Sequence, residues 1–468
     1  MHSSITAAYL ARYRSLASAS EAAAAELLPL TGAQRRFLIT RRRDPRGRTD
    51  VVPLFFAFPR GTVDLPRLRR AAVRLADRHP ALRGEFTVQR GTPVLRLGEP
   101  SVEVARVAAE PGEVPAGPDG PARVAGHRAP LGEPSVAVAR TGAAAEQAPA
   151  REALRRALLD WPADGPVLRL LLAAAPDDEE ELLAVALDHA ACDEQSLGLV
   201  TDGLGAAYAA DGEEAAPATT RDEAVEAYRS AVEGQLAAEE NAASEVARAH
   251  WAARLGALGE PPGGASSAGA ARSTGMVVER LPAVTGAARG GVFPALLDAV
   301  AAAARHLDDG GDRVLALGYP WGGRPAGAAP VLGCFLNTLV HPAPPGPPRA
   351  LDALGADWWD DLDHADTPYD EVVRAARSAG AAWSGTLDGL LTFEDLHRRP
   401  PLVLDGTAGR EVHLAGRPLA APLAVSASHG ADLLVRLAWD RERYPRTLAE
   451  AAFAELLATL RRHLGAPA

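Results

Sequence analysis

The stretch ALDHAACDEQS, residues 186–196, places several polar groups where an apolar run ends. The preceding residues, ELLAVAL, have the length and composition of a buried strand, and this run stops at Asp188. His189 follows at once, and Asp193 and Glu194 come shortly after it. Charged groups at the end of a core strand are costly unless they are paired or used in chemistry. The stretch therefore predicts a functional site at the end of this strand.

His189 is the residue of this stretch best suited to proton transfer, because imidazole titrates near neutral pH. A structural role is the alternative, since the chain has 12 histidines. Asp188, His189 and Asp193 offer nitrogen and oxygen ligands, but no second histidine-rich cluster complements them, so no metal site is predicted. The sequence has no phosphate-binding loop that ends in GK[ST] and no GxSxG elbow, which argues against nucleotide and serine-hydrolase chemistry.

Composition excludes several classes of protein. The chain has 468 residues, which favours about two or three domains. Its net charge of -11 argues against nucleic-acid binding, and all 49 basic residues are arginine, so arguments from arginine enrichment are weak. Cys192 and Cys334 lie in apolar contexts, which predicts buried free thiols in a reducing compartment. No apolar run could span a membrane and no signal peptide is recognised, so a soluble, cytoplasmic protein is expected.

Helix and strand patterns alternate with a similar rhythm in both halves of the chain, and the polar, turn-rich residues 210–224 are the best boundary between them. Residues 99–150 give no prediction. The other local predictions are a helix start capped by Thr31, a helix over 64–82 with Pro66 in its first turn, a hairpin turning at Arg90-Gly91, two strands within 166–189, a helix over 196–210 and an amphipathic helix over 447–464.

Residues 186–208, ALDHAACDEQSLGLVTDGLGAAY, resemble the third core motif of nonribosomal peptide synthetase condensation domains, which is HHxxxDG followed by a helix. His189 and Asp193 match the second histidine and the aspartate, whereas Asp188 and Glu194 replace the first histidine and the glycine. Other stretches resemble further motifs of the family in the same order: LTGAQRRF (30–37), RHPALRGEF (78–86), GYPWGGRP with VLGCFLNTLVHP (318–342), DTPYDEVVRAA (366–376) and VRLAWDRERYPRTLAEAAFAELL (435–457). The resemblance covers about residues 30–465.

This resemblance implies an α/β (α+β) fold of two chloramphenicol acetyltransferase-like lobes, arranged as a V-shaped pseudo-dimer with a central tunnel. Residues 1–210 would form the N-terminal lobe that carries the DHxxxDE motif, and residues 211–468 the C-terminal lobe. The donor would enter the tunnel from one face on the phosphopantetheine arm of a carrier protein. The acceptor, an amine or an alcohol, would enter from the other face.

The same resemblance assigns roles to individual residues. His189 would be the general base or the acceptor that positions the nucleophile. Asp193 would be structural and pair with an arginine, for which Arg83 of the second motif is the predicted partner. Asp188, Glu194 and Asn337 would lie along the substrate tunnel, although Asn337 also fits a plain strand-end or turn position.

The predicted function is that of a free-standing condensation enzyme, since no carrier, adenylation or thioesterase motif is present. It would join a carrier-bound acyl or aminoacyl thioester to a small-molecule amine or alcohol in natural-product biosynthesis, such as antibiotic biosynthesis. No bound cofactor, nucleic acid or membrane is expected, and a monomer is the default. The carrier protein would act in trans and dock on an arginine patch, with the arginine-rich early segment as a candidate.

Three alternatives remain open. The first is a catalytically silent condensation-like domain that recruits a carrier protein or a partner enzyme. The second is a heterocyclisation domain, because Asp188, Asp193 and Ser196 fit the DxxxxDxxS pattern. The third is an acyltransferase of the same superfamily that uses a coenzyme A donor.

Overall fold

The computed structural model describes residues 4–19, 26–43, 50–108, 149–162, 164–175, 178–210, 220–261, 273–308 (without the side chains of 287 and 288), 311–324, 330–346, 349–396, 399–416 and 419–465. Most of the predicted boundary segment, residues 211–219, lies outside this part of the chain. Within the described part, no helix has the length and apolar character needed to cross a membrane.

Helices and strands alternate in both halves of the chain, as the sequence predicts. The described α-helices are α1 (Ile5–Ala17), α2 (Gly32–Arg43), α3 (Leu65–Arg78), α4 (Pro80–Arg83), α5 (Pro149–Leu159), α6 (Glu194–Ala209), α7 (Arg221–Ala242), α8 (Glu245–Leu255), α9 (Val292–Leu307), α10 (Leu351–Leu362), α11 (Tyr369–Ser378) and α12 (Arg446–Leu464). Short 3₁₀ turns cover His189–Ala191 and Gly286–Gly291.

The described strands form two large sheets and two small ones. They are β1 (Leu27–Leu28), β2 (Val51–Pro59), β3 (Glu85–Gln89), β4 (Thr92–Arg96), β5 (Val102–Arg106), β6 (Leu168–Ala173), β7 (Glu180–Asp188), β8 (Thr274–Pro282), β9 (Leu315–Gly322), β10 (Leu336–Ala343), β11 (Gly389–Asp395), β12 (Val403–Leu404), β13 (Thr407–Ala408), β14 (Arg410–Val412), β15 (Leu423–His429) and β16 (Asp432–Asp440). The small sheets have the orders β1-β4-β3 and β12-β13.

The first large sheet has the order β14-β2-β7-β6-β5, with β5 and β6 parallel and the other neighbours antiparallel. Strand β7 lies at its centre and is buried from its second residue to its last. Leu183 and Val185 face one core, while Ala184 and Ala186 face another, because successive side chains of a strand point to opposite sides. This two-sided burial explains why the run is apolar throughout, and it directs the polar residues of the motif to the end of the strand.

The second large sheet has the order β10-β9-β11-β15-β16-β8. Strand β11 is parallel to β9 and β15, and the other neighbours are antiparallel. Helices α9 and α12 pack against each other and share the core of this sheet. The second half of the chain therefore has a sheet and a hydrophobic core of its own.

The two halves also interlock. Strand β14 comes from the second half but pairs with β2 in the first sheet, from Arg410 opposite Ala57 to Val412 opposite Phe55. Phe335 likewise belongs to the core of the first half. The boundary between residues 210 and 211 stays a prediction. A division of the chain there separates β14 and Phe335 in sequence from the sheet and the core to which they belong.

Several local predictions are confirmed, and one is corrected. The hairpin turns at Arg90 and Gly91, whose φ angles of 48° and 79° are those of a type I′ turn. The helix predicted over 64–82 is split, because it ends at Arg78 ahead of Pro80 and a short helix begins at that proline. A residue before proline is pushed away from helical geometry, which explains the break.

The predictions at helix ends are also informative. Thr31 caps α2, since Thr31 Oγ1 accepts from the Gln34 amide at 3.4 Å and Gln34 Oε1 accepts from the Thr31 amide at 3.0 Å. Helix α6 begins two residues earlier than predicted, at Glu194, because Asp193 caps it. The C-terminal helix is confirmed as α12, which ends at Gly465 with a φ of 65°.

Candidate active site

His189 is the first residue of the 3₁₀ turn that follows β7, so a buried strand fixes its backbone. Its Nδ1 lies 3.0 Å from the carbonyl oxygen of Cys192. A carbonyl only accepts, so we assign the proton of the neutral ring to Nδ1, which leaves Nε2 as an acceptor. Phe37 of α2 stacks on the imidazole with 4.6 Å between ring centroids and 21° between planes.

No hydrogen bond to Nε2 of His189 occurs within the described residues. The side chain is half-buried, so this nitrogen can meet a small molecule without a change in the fold. A histidine with one nitrogen anchored and the other free is arranged to accept a proton. The catalytic role predicted for His189 is thus compatible with its geometry, and it stays a prediction.

Asp188 does not line a tunnel, contrary to the prediction. Its side chain is fully buried, and both carboxylate oxygens accept from Nη2 of Arg41 at 2.8 Å. Its Oδ1 also accepts from the amide of Ala190 at 2.9 Å, which caps the 3₁₀ turn. A side chain without accessible surface contributes nothing to a tunnel wall. Asp188 instead holds the turn on which His189 lies.

Asp193 pairs with an arginine as predicted, but the partner is Arg324, so the predicted partner Arg83 is wrong. The purely structural role of Asp193 stays a prediction. The carboxylate of Asp193 accepts from Nη2 of Arg324 at 2.8 Å, from the Ser196 amide at 3.0 Å and hydroxyl at 2.8 Å, and from the Phe335 amide at 3.0 Å. Arg324 follows β9, so the pair ties the start of α6 to the second half of the chain. Arg83 ends α4, and its Nε is enclosed without a hydrogen-bond partner in the described residues.

Arg324 is held from several sides. Its Nη1 donates to the Val331 carbonyl at 2.8 Å, its Nη2 donates to Ser196 Oγ at 2.9 Å, and its guanidinium lies 4.4 Å from the ring centroid of Phe335. Arg324 belongs to GYPWGGRP, which resembles the fifth motif of the family. This position in a motif was the signal that could have marked Arg324 as a site residue. Sequence alone could not show that this arginine, among 49 basic residues, reaches Asp193.

Gln34 is a second site residue that sequence reasoning missed. Its side chain is fully buried, and its Nε2 donates to the Ala190 carbonyl at 2.8 Å and to the Tyr228 hydroxyl at 3.0 Å. Helix α2 is thereby attached to the turn that carries His189, one residue away from the contact. Gln34 belongs to LTGAQRRF, which resembles the first motif, but that motif does not reveal the contacts of Gln34 with Ala190 and Tyr228.

Glu194 begins α6 and lies among other carboxylates. Burial raises its pKa to about 7, with further increases from Glu394 and Glu411 and a decrease from Arg399. The side chain nevertheless has 52% of its surface accessible. Its carboxylate loses hydration because protein packs around it, and not because other residues cover it completely. Nη1 of Arg399 lies 3.9 Å from Glu194, beyond hydrogen-bond distance. Its position along a tunnel stays a prediction.

Asn337 lies on β10 and lines a crevice between the two halves of the chain. Its Nδ2 donates to the carbonyl oxygens of Ala365 and Thr367 at 2.8 and 2.6 Å. Helix α2 also lines this crevice through Ala33, which lies one helical turn before Phe37, the residue stacked on His189. Asn337 is therefore near the candidate site, and its place in a substrate tunnel stays a prediction.

The remaining candidate chemistry is limited. Cys192 and Cys334 are buried free thiols, as predicted, and burial raises the pKa of both well above the usual value. Within the described ranges, no group of three or more histidine, cysteine, aspartate or glutamate side chains is placed to hold a metal ion.

Comparison with solved structures finds proteins of similar architecture. The starter condensation domain of rhizomide synthetase, a mutant solved with C8-CoA and Leu-SNAC, has a TM-score of 0.63 and 16% sequence identity, and the match covers 94% of this chain and 94% of that chain. The first condensation domain of the calcium-dependent antibiotic synthetase, solved with a substrate analogue, has a TM-score of 0.65 and 19% identity over 94% of this chain and 97% of that chain. No protein-family model and no curated protein matches the sequence. The chain therefore has the two-lobed, chloramphenicol acetyltransferase-like fold of nonribosomal peptide synthetase condensation domains, as its motifs predicted.

Proposed function

We propose that this chain is an acyltransferase that joins a carrier-bound acyl or aminoacyl thioester to an amine. The observation that carries the proposal is the geometry of His189 within a condensation-domain fold. Its Nδ1 is anchored on the Cys192 carbonyl, its ring is stacked on Phe37, and its Nε2 is left to accept a proton. A mutant condensation domain of the same fold was solved with C8-CoA and Leu-SNAC.

In the proposed reaction the nitrogen of the acceptor attacks the thioester carbonyl of the donor. The new C–N bond forms as the C–S bond breaks, and Nε2 of His189 takes the proton from the nitrogen. That proton then passes to the departing thiolate, which regenerates neutral histidine. General-base assistance of this kind contributes about 10²–10⁴-fold to the rate. An alcohol acceptor would follow the same course and give an ester.

The carrier protein and its phosphopantetheine arm belong to the substrate in this proposal. The acceptor is a small molecule, and no resident cofactor takes part in the proton transfer. Phe37, Gln34 and Asp188 act on the chemistry only by holding His189 and its turn in place.

A mass-spectrometric assay tests the proposal with an acyl-loaded carrier protein and a panel of amines and alcohols. His189→Ala should lower the rate of product formation by about 10²–10⁴-fold while leaving the circular dichroism spectrum unchanged. His306→Ala is the matched control, because His306 is exposed near the end of α9. Full activity in His189→Ala would refute the general-base role, and an equal rate with the matched coenzyme A thioester would favour the coenzyme A-dependent alternative.

A catalytically silent domain that holds a carrier protein is the second candidate. The departures from the third core motif favour it, because Asp188 and Glu194 stand where the family has a histidine and a glycine. This candidate predicts that the chain binds the loaded carrier and forms no product with any acceptor.

A further inference from the structure

The crevice beside the candidate site has a lining that is rich in hydrogen-bond acceptors. Its empty space is about 290 Å³ including the open mouth, and it lies between α2, α7, β10 and the segment that leads into α11. It adjoins the site at two places. Ala33 lies one helical turn before Phe37, which stacks on His189. Asp366 lies next to Gly323, the residue directly before Arg324.

Four acceptor groups of this lining have no donor in the described residues. Gln235 is 3% exposed, and its Oε1 is enclosed without a hydrogen-bond partner. Both amide hydrogens of Asn337 face the carbonyl oxygens of Ala365 and Thr367, so its Oδ1 is the polar atom that remains. Asp366 and Asp370 make no hydrogen bond or ion pair with the described residues. The Asp366 side chain is exposed, but the protein packed around its carboxyl removes part of its hydration and raises its pKa.

An enclosed acceptor without a donor costs about 1–3 kcal/mol, so a group that donates hydrogen bonds is favoured in this place. The charges of the lining indicate the sign of that group. Glu239, Asp366 and Asp370 contribute carboxylates, and Arg36 is the one guanidinium among the lining residues. Arg36 already donates to Thr338 Oγ1 at 3.0 Å and lies 4.6 Å from the ring centroid of Tyr369.

Glu239 is also engaged, because it accepts from Arg35 at 3.2 Å and from the Gly32 amide at 2.7 Å. Asp366, at the accessible mouth, and Asp370 have no partner in the described residues, and together with Arg36 they leave the lining with one net negative charge. A primary ammonium group carries one positive charge and three N–H donors, and its size is close to that of a water molecule. Its charge and its donors match the net charge and the type of the groups that lack a partner.

We propose that this crevice binds an ammonium group of the acceptor substrate, held by Gln235, Asn337 and Asp366, while a second amine of the same molecule reacts at His189. The preferred acceptors are then diamines or basic amino-acid derivatives. This inference rests on the proposed condensation function, because the reacting amine is the one that attacks the thioester.

Binding can be measured apart from catalysis. Titration calorimetry on the His189→Ala protein, with α,ω-diamines of three to eight carbons and the monoamine of each length, reports the affinity without turnover. We expect the best diamine to bind about 10- to 100-fold more tightly than its monoamine, as charge-assisted hydrogen bonds would give. Equal affinities at every length would overturn the proposal.

Variants locate the binding group. Asp366→Asn and Gln235→Met, each added to His189→Ala, should reduce the diamine preference at least about tenfold. Asp363→Asn is the matched control, because it removes an exposed carboxylate three residues away that does not line the crevice. A preference that survives both crevice variants would place the ammonium elsewhere and overturn the assignment.

Turnover by the unmodified chain separates this inference from the proposed function. Product formation without any preference for diamines would support condensation and overturn the crevice assignment. Diamine-selective binding that depends on Asp366, without product from any acceptor, would support the crevice as an ammonium site and overturn the condensation function.

Discussion

The pairing of Asp193 with Arg324 gives the sharpest test of how the two halves of the chain are joined. Both side chains are nearly enclosed, with 4% and 12% of their surface exposed. Asp193→Asn keeps the shape of the side chain but removes its charge, and Arg324→Met keeps the length and removes the guanidinium. Each single change leaves the opposite charge buried without its partner.

The expected cost follows from the contacts that remain. Removing one member of a buried pair destabilises a protein by about 3–5 kcal/mol. After Arg324→Met, Asp193 still accepts from two amides and one hydroxyl, so the lower end of this range, about 3 kcal/mol, applies. Asp193→Asn leaves Arg324 its bonds to the Val331 carbonyl and the Ser196 hydroxyl, so about 3 kcal/mol applies to this variant too. The double variant has no uncompensated charge, but the asparagine cannot accept from all the amide and hydroxyl donors that surround it, and we expect a loss of about 4 kcal/mol. The coupling energy between Asp193 and Arg324 is then about 2 kcal/mol, inside the range for residues in contact.

Equilibrium unfolding in urea of the unmodified chain, both single variants and the double variant gives this coupling energy, provided that the m-values agree. A second cycle that combines Asp193→Asn with Arg83→Met is the control, since Arg83 was the partner expected from sequence. Its coupling should stay below about 0.5 kcal/mol. A coupling below that limit for Arg324, or an equal coupling for Arg83, would refute the assignment of the pair.

Two further predictions concern the other acidic residues of the motif. Burial, and after it Glu394, raise the pKa of Glu194 from an ordinary value of 4.5 to about 7 in the folded chain. Ionisation of Glu194 therefore opposes folding. The stability that is present below about pH 4.5 is lost as the pH rises through about 7. The stability of Glu194→Gln relative to the unmodified chain should therefore rise by about 1 kcal/mol between pH 5 and pH 8, as measured by urea unfolding. This value is reduced because half of the side chain is exposed. A stability difference that does not change with pH would contradict the prediction. Asp188→Asn leaves the guanidinium of Arg41 unpaired and should cost about 3 kcal/mol. Adding Arg41→Met should recover most of that loss in the same assay, and no recovery would show that Asp188 acts through another contact.

The local structure around the site could be predicted because it depends on neighbours in sequence. An apolar run predicts β7, and a threonine with a glutamine three residues later predicts the start of α2. The hairpin follows from Arg90-Gly91, since glycine adopts a positive φ without strain. Resemblance of the ordered motifs to condensation domains then predicted the fold of the whole chain, which structural comparison confirmed.

Contacts between distant segments could not be predicted in this way. The partner of Asp193 lies 131 residues away, and every basic residue of the chain is an arginine, so chemistry gives no preference among them. Strand β14 has only three residues, Arg410–Val412, and nothing in its sequence directs it to the sheet of the other half. Both features depend on how the two halves come together, and a local pattern carries no information on that.

Asp188 ends β7 and His189 follows it, and the two residues differ in whether a side-chain atom is left without a hydrogen bond. Asp188 binds Arg41 with both oxygens and caps the turn, and its side chain is fully buried. His189 uses one nitrogen for the Cys192 carbonyl, and within the described residues the other nitrogen has no partner. A substrate can compete only for a group that the fold has not already satisfied, so the proposed proton transfer at this strand end is assigned to His189. The aspartate is compatible with that chemistry because its charge is neutralised by Arg41.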